Sequence, residues 1–474
     1  MSSGKWAGPR PEIDRSDIDT LRNGIAERFP DLQFELSSLN GRPRIQGETD
    51  TWDTAVKVGH RLSDIWYELG DDKEVIVDLT SRDAPEMATT PPIAGFVSAV
   101  PEEADVVVIG AGIVGTIVAQ KLAVLGNRVV LLESQLRAGT GATRLNNGMV
   151  HSGFDPKPGT LKGLLNVEGN RLWDKLASDL GIKLLRTGST VVSLTDDQDE
   201  RIEEYYDRGA AKGVPVEIIS GDELRKIEPR MSKNIKRALM TPTTGYIEAV
   251  EAAEKSVEIL RHVGSNVFYG VTVTGFEKDE TGVTGVDTNA GFIKTKLVIN
   301  VAGLFADHVA ALAGVRDFTL HARRGTLVIV RDDKDTPYRI GAGPVPSPYT
   351  KGGGVTLRPY GTLSLGPSAV EQPDRFHCVP TQEEIDWILE QSVLIYPEID
   401  LSHVVEVEAR SRASSFGEDF IIGPAAGLPG FYNVSGIQSP GVAASPAIAN
   451  KVVTDLLQLG RITTNTTHYR EVWR

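Results

Sequence analysis

The residues best suited to chemistry lie in one stretch, Ala104–Glu133. Gly110, Gly112 and Gly115 follow an apolar run, Val106–Ile109, and open a helical pattern over Ile113–Leu125. In that register the first glycine permits a tight turn, the second lets a pyrophosphate approach the backbone, and the third lets helix pack on strand. The N–H groups at the helix start, those of Ile113 and Val114, favour an anion. A second apolar run, Arg128–Leu132, ends at Glu133, about 20 residues past the glycines, where a carboxylate accepts both ribose hydroxyls of an adenosine and disfavours a 2′-phosphate. Downstream, Gly139-Thr140-Gly141-Ala142-Thr143 suits a loop pressed against a cofactor, with backbone and hydroxyl donors at Thr140 and Thr143. The stretch is predicted to bind a dinucleotide.

The rest of the chain must position these groups. Its 474 residues exceed what one core usually supports, so two or three domains are expected. A composition of 40% hydrophobic and 24% charged residues is that of a globular protein. The net charge of −14 leaves no basic face for nucleic acid. No apolar run reaches membrane-spanning length and residues 1–17 contain no apolar signal core, so a cytoplasmic home, or one peripheral to a membrane, is expected. Cys378 is the single cysteine, which excludes intrachain disulfides and thiolate-ligated iron–sulfur or zinc sites within this chain, and no metal site is expected.

Residues 1–80 read as a separate α+β module. Ser16–Phe29 has helical spacing, Leu32–Leu36 and Pro43–Gly47 flank an Asn40-Gly41 hairpin turn, Thr51–Leu69 is a second helix, and Glu74–Leu79 a third strand. This order resembles the BON domain, which implies partner or lipid association; a small domain capping the surface of the dinucleotide-binding body is the other reading. Residues 81–103 are Pro/Thr/Ala-rich and read as a linker.

Beyond Glu133, the run Asn147-Gly148-Met149-Val150-His151-Ser152-Gly153 and the segment Lys157-Pro158-Gly159-Thr160-Leu161-Lys162 resemble the D-amino-acid-oxidase-type FAD oxidoreductases. The likeness is to the branch of L-2-hydroxyglutarate dehydrogenase/oxidase and anaerobic-type glycerol-3-phosphate dehydrogenase. It continues in Lys296–Gly303, a strand whose Ala302-Gly303 end meets the flavin nucleotide in that family. It also includes Gly436-Ile437-Gln438-Ser439-Pro440-Gly441, which in the family lies at the flavin's pyrimidine end. There the positive end of a helix over Val442–Leu457 can stabilise charge on a reduced flavin. The resemblance implies FAD as cofactor, with Asn147 and Gly148 also in contact with it. It implies a Rossmann-type α/β FAD domain with an inserted α+β substrate domain built on an antiparallel sheet. The expected FAD-domain pieces are 104–185, 245–315 and 405–460, the substrate-domain pieces 186–244 and 316–404, and the tail 461–474.

Oxidising a carbinol by hydride transfer needs a group that takes the hydroxyl proton, and histidine suits neutral pH. His151, in its glycine-flanked loop, is the first candidate; a covalent flavin link through it is a second role. His308, His321 and His403 are weaker candidates, and His262 is expected to be solvated. An anionic substrate needs cationic anchors. Arg412 sits where the resembled family has an arginine shortly before Asp419-Phe-Ile-Ile422, although Glu408-Ala409-Arg410 replaces the usual Phe-Ala-Gly. Arg410 could bind a second anionic group or pair with Glu408. Arg324 and Lys351 are further anchors, and Gly341–Tyr360 is expected to be either a loop over the site or a long hairpin connection.

The expected function is oxidation of a small anionic 2-hydroxy acid or polyol phosphate. An amine or amino-acid oxidase, or a non-catalytic flavin subunit of an electron-transfer complex, are the alternatives. Electrons are expected to pass to oxygen, a quinone or an acceptor protein, with the N-terminal module helping to dock that partner or another subunit.

Overall fold

The computed structural model describes residues 13–70, 72, 74–84, 99–331, 337–346 and 352–464. The six-stranded central sheet runs, edge to edge, Asn266–Tyr269, Val129–Glu133, Val106–Ile109, Val298–Asn300, Phe431–Ser435 and Ile421–Pro424. The first five are parallel and the last is antiparallel. Parallel strands covered on both faces must be apolar throughout, and all of Val106–Ile109 is buried. Side chains alternate between faces. Val106, Val108, Val129 and Leu131 point to helices Ile113–Val124, Ala249–His262, Gly441–Gln458 and Leu161–Leu180. Val107, Ile109, Val130 and Leu132 point to helix Ala306–Leu312 and a three-stranded antiparallel sheet, Val273–Asp279, Gly282–Thr288 and Gly291–Lys294.

A second sheet has nine strands. At one end of it two 12-residue strands, Leu320–Arg331 and Val404–Ser415, pair antiparallel, with Arg323 opposite Arg412 and Gly325 opposite Arg410. Helix Gln382–Ile395 packs on it. Within Gly341–Tyr360, expected as a loop, Gly341–Pro344 and Gly354–Leu357 are strands of this sheet. Their glycines are spacers: a Cβ on Gly341 would lie 2.3 Å from the Tyr246 hydroxyl.

The N-terminal module forms helix Arg15–Arg28, hairpin Phe34–Leu39/Arg42–Thr49, helix Trp52–Glu68 and strand Ile76–Ser81, the last parallel to the hairpin's second strand. Asn40 and Gly41 both have positive φ, as a two-residue hairpin turn of this hand requires. The module is docked on the body formed by these two sheets. Phe416 joins its core of Leu21, Ile25, Ile45, Leu62 and Trp66, the Val77 N–H donates to Thr319 Oγ1 at 3.1 Å, and Arg316 pairs with Asp78 at 2.9 Å.

Candidate active site

A connected cavity of about 1930 Å³ runs from the central sheet to the second sheet. Small-ligand pockets usually hold roughly 300–1,000 Å³. The space suits a dinucleotide with a substrate beside it.

At one end the chain turns at Gly110, whose φ is +108° and where a Cβ would lie 2.4 Å from the Val301 carbonyl oxygen. A Cβ on Gly115 would lie 2.0 Å from the Gly110 oxygen, so the helix closes on the strand only because both are glycine. Gly110, Gly112, Ile113, Val114 and Gly115 all line the cavity. Thr143 Oγ1 accepts the Ile113 N–H at 3.0 Å, joining the downstream loop to the helix start. Glu133 lines the same end; its carboxylate accepts the Ala111 and Gln135 N–H groups, each at 2.8 Å. Burial pushes its carboxyl up, and those backbone N–H groups oppose the shift.

Thr140, Asn147, Ala302 and Gly303 lie along the cavity wall, as do Ile437, Gln438 and Ser439. Gly148 and Gly436 are not in the lining. Gly148, at φ +63°, lets the chain pass Ile247, whose oxygen would be 2.1 Å from a Cβ; Gly436, at φ +65°, turns the chain beside Asp419. The asparagine that closes on the Gly148 N–H, at 2.7 Å, is Asn146, while Asn147 Oδ1 accepts from Met149 at 3.3 Å. The side-chain pattern around His151 therefore begins one residue earlier than Asn147.

His151 is buried and lines the cavity just after the short strand Met149–Val150. Its backbone oxygen accepts from Asn166 Nδ2 at 2.7 Å and Asn170 Nδ2 at 3.0 Å, so helix Leu161–Leu180 fixes the loop that presents the ring. Arg412 and Arg410 both line the cavity, because residues two apart on a strand share a face. Room for Arg412 comes from Gly325, where a Cβ would lie 2.7 Å from Arg412 Nη2. Arg412 Nη2 donates to the Ser368 oxygen at 2.8 Å, and its Nη1 is buried with no hydrogen-bond partner among the described residues. Burial, with Arg323 opposite, pulls its guanidinium down to about 10, still cationic at neutral pH.

Arg324 is placed elsewhere. Strand alternation turns it to the opposite sheet face, where it pairs with Glu384 of helix Gln382–Ile395 at 2.7 Å. Arg324 is therefore not brought to the cavity; Arg323 shares the face of Arg412. Lys351 lies outside the described residues. Glu408 pairs with Arg144 at 2.8 Å and lies 3.7 Å from Arg410.

Several residues not singled out in the sequence meet beside Gln438 and His321. Arg323 Nη2 donates to Glu418 Oε1 at 2.7 Å, and its Nε donates to Glu371. Glu371 also lies 2.7 Å from His321 Nδ1. Glu418 Oε2 accepts from Gln438 Nε2 at 2.6 Å, and buried Lys162 lies 3.6 Å away. Burial alone would raise the Glu418 carboxyl, but Arg323 and Lys162 hold it at about 2. No signal in the sequence marked Arg323 over Arg324: the strand pairing sets Arg323 opposite Arg412 and Arg324 opposite Ser411.

A glycine-turn parallel sheet, a second sheet that is antiparallel except where Gly341–Pro344 pairs parallel with Ser189–Ser193, and one cavity shared between them define a dinucleotide-dependent oxidoreductase. A family profile described as DAO, FAD dependent oxidoreductase, matches residues 105–456. The chain belongs to this family of FAD-dependent oxidoreductases, and its cofactor is FAD. The chain is 33% identical over 358 residues to a glycerol 3-phosphate dehydrogenase of Caloramator mitchellensis, covering 75% of this chain and 74% of the relative. It is 27% identical over 271 residues to the L-2-hydroxyglutarate dehydrogenase of Escherichia coli K12, covering 56% and 64% respectively. Among solved structures, the dithionite-reduced, FAD-bound L-alpha-glycerophosphate oxidase of Mycoplasma pneumoniae superposes with TM-score 0.72 and 26% identity, over 77% of this chain and 97% of that one. Among the described residues no helix is long and apolar enough to cross a membrane.

Proposed function

We propose that this FAD-dependent enzyme oxidises the CH–OH group of a small anionic hydroxy compound, with glycerol 3-phosphate as the first candidate and L-2-hydroxyglutarate as the second. The observation that carries the reading is the buried Arg412 guanidinium in the cavity wall, whose Nη1 has no hydrogen-bond partner among the described residues. A buried donor left unmade costs about 1–3 kcal/mol, more when charged; a phosphate or carboxylate oxygen repays that cost by accepting its hydrogen bond. Arg410 also lines the cavity, which supports a contact to a second anionic oxygen.

Bound FAD supplies the hydride acceptor. The protein's own residues hold it in the manner the cradle allows: Gly110–Gly115 and Thr143 at the diphosphate, Glu133 at the ribose, Ala302-Gly303 and Ile437–Ser439 toward the ring. His151 takes the substrate hydroxyl proton, and helix Gly441–Gln458 points its positive end at the ring side of the cavity. Electrons then pass to an acceptor protein, a quinone or oxygen.

The test is anaerobic mixing of the purified holoenzyme with glycerol 3-phosphate, L-2-hydroxyglutarate and an amino-acid panel, followed by flavin absorbance. Bleaching by a hydroxy compound is expected. Bleaching by amino acids alone, or by no donor, would sink the reading. Turnover with a small dye, a quinone and oxygen then separates the acceptors.

A further inference from the structure

The N-terminal module forms part of the cavity wall. His60, Asp64, Tyr67, Gly70, Asp72 and Glu74 all line the same space as Arg412 and Gln438. None of them lies in the segment matched by the family profile, which begins at residue 105.

The two regions meet at the turn Phe416–Asp419. Phe416 inserts into the module's core, where a Cβ on Gly59 would lie 2.4 Å from its ring. His60 Nδ1 lies 2.8 Å from the Phe416 backbone oxygen; a carbonyl can only accept, so Nδ1 is the donor. The Phe416 ring also stacks on His321, with centroids 4.7 Å apart. Two residues on, Glu418 holds φ +55°, a conformation a non-glycine residue keeps only when its surroundings impose it. From there it accepts from Arg323 and Gln438, while Asp419 accepts the Leu161 and Lys162 N–H groups at 2.9 and 2.8 Å. Gln438 Oε1 accepts from Ser414 Oγ at 3.1 Å, so both ends of the Gln438 amide are fixed.

We propose that the N-terminal module is a working part of the active site, with His60 as a positioning residue: its bond to the Phe416 carbonyl sets the Phe416–Asp419 turn, and through Glu418 sets Gln438 and Arg323 beside the flavin ring. The inference rests on the FAD-dependent reading above. A bound cation fits the same groups poorly. The ligand atoms of His60, His321 and Glu418 do lie within 4.8 Å of one another. Arg323, however, already donates to the Glu418 oxygen nearest His60, and a cation there would sit beside a guanidinium.

The test compares full-length wild-type, His60→Ala and His60→Asn holoenzymes. Side-chain misplacement at a reacting site costs up to about 100-fold; for a residue acting at one remove, His60→Ala is expected to lower kcat with a small dye about 10-fold. KM and flavin content should stay within about twofold, and the flavin absorption bands should move. His60→Asn, whose amide can donate to the Phe416 carbonyl, should restore both kcat and spectrum. Wild-type kcat and spectrum in His60→Ala, or an asparagine variant no better than alanine, would overturn the proposal. Should His60→Ala not fold, Glu418→Gln reads the same spectrum, and unmoved bands there count against the proposal. The spectrum needs no substrate, so it tests the module's role even if no hydroxy compound reduces the flavin.

Discussion

The two ends of the cavity are built in opposite ways. The dinucleotide end is mostly local: strand Val106–Ile109, the glycine turn, helix Ile113–Val124 and Glu133 lie within 30 residues, Gly115 closes on Gly110, and one distant strand end, at Val301, presses on Gly110. The reacting end gathers His151, Arg323, Arg412, Glu418 and Gln438 from separate segments through an antiparallel register and a turn. A local site tolerates changes elsewhere, whereas the assembled one depends on strand parity and on the module docked behind it.

The sharpest break in the comparison is at the reacting end. His151→Ala should leave flavin bound and slow its anaerobic reduction by about 100-fold or more, the scale of a lost general base; stopped-flow bleaching at the wild-type rate would remove His151 from the proton step. Next, Arg412→Ala deletes a charged hydrogen-bond donor worth about 1.5–3 kcal/mol, so KM for the anionic substrate should rise at least about 10-fold with flavin content unchanged. An unaltered KM would take Arg412 out of the substrate site.

Gly115→Ala probes the other end. Its Cβ would lie 2.0 Å from the Gly110 oxygen, a clash of about 1–3 kcal/mol. Purified protein should carry less flavin per chain and melt earlier, while the chain that retains flavin keeps the wild-type KM. Full occupancy would mean the turn is looser than its geometry. Arg324→Ala should have the smallest effect on catalysis, with KM within about twofold, although it strips Glu384 of its buried partner and lowers the melting temperature. A large rise in KM would place Arg324 at the substrate after all.

The histidine between module and oxidoreductase adds a pH test. Burial pulls the His60 imidazole below its ordinary range, partly offset by Glu418. The unfolded chain therefore binds this proton more readily than the folded one, so stability is full above about pH 6.5 and falls as pH drops below it. Thermal melts between pH 5.5 and 7.5 should show a shallower loss in His60→Asn than in the wild type. Parallel curves would mean that His60 does not titrate in this window.

Two pairs of neighbouring residues show how far the chain could be read unaided. Gly110 and Glu133 were legible because turn, helix start and acid follow one another in register, and no distant contact can reassign them. Arg323 and Arg324 were not separable by type. Only the pairing of Leu320–Arg331 with Val404–Ser415 decides that Arg323 shares the sheet face of Arg412 and Arg324 faces helix Gln382–Ile395. Asn146 and Asn147 differ in the same way: the fold of the loop selects which amide closes on Gly148.

By itself the amino-acid order determined a dinucleotide cradle, a buried parallel sheet and a separate N-terminal module, since each depends on apolar period, turn chemistry and short-range sterics. Tertiary structure alone decided that helix Trp52–Glu68 would bring His60 within reach of Phe416, 356 residues away, and that Glu418 would join Arg323 to Gln438. Charge placement of that kind depends on sheet register and on the docking of one domain against another, and neither leaves a periodic trace in the chain.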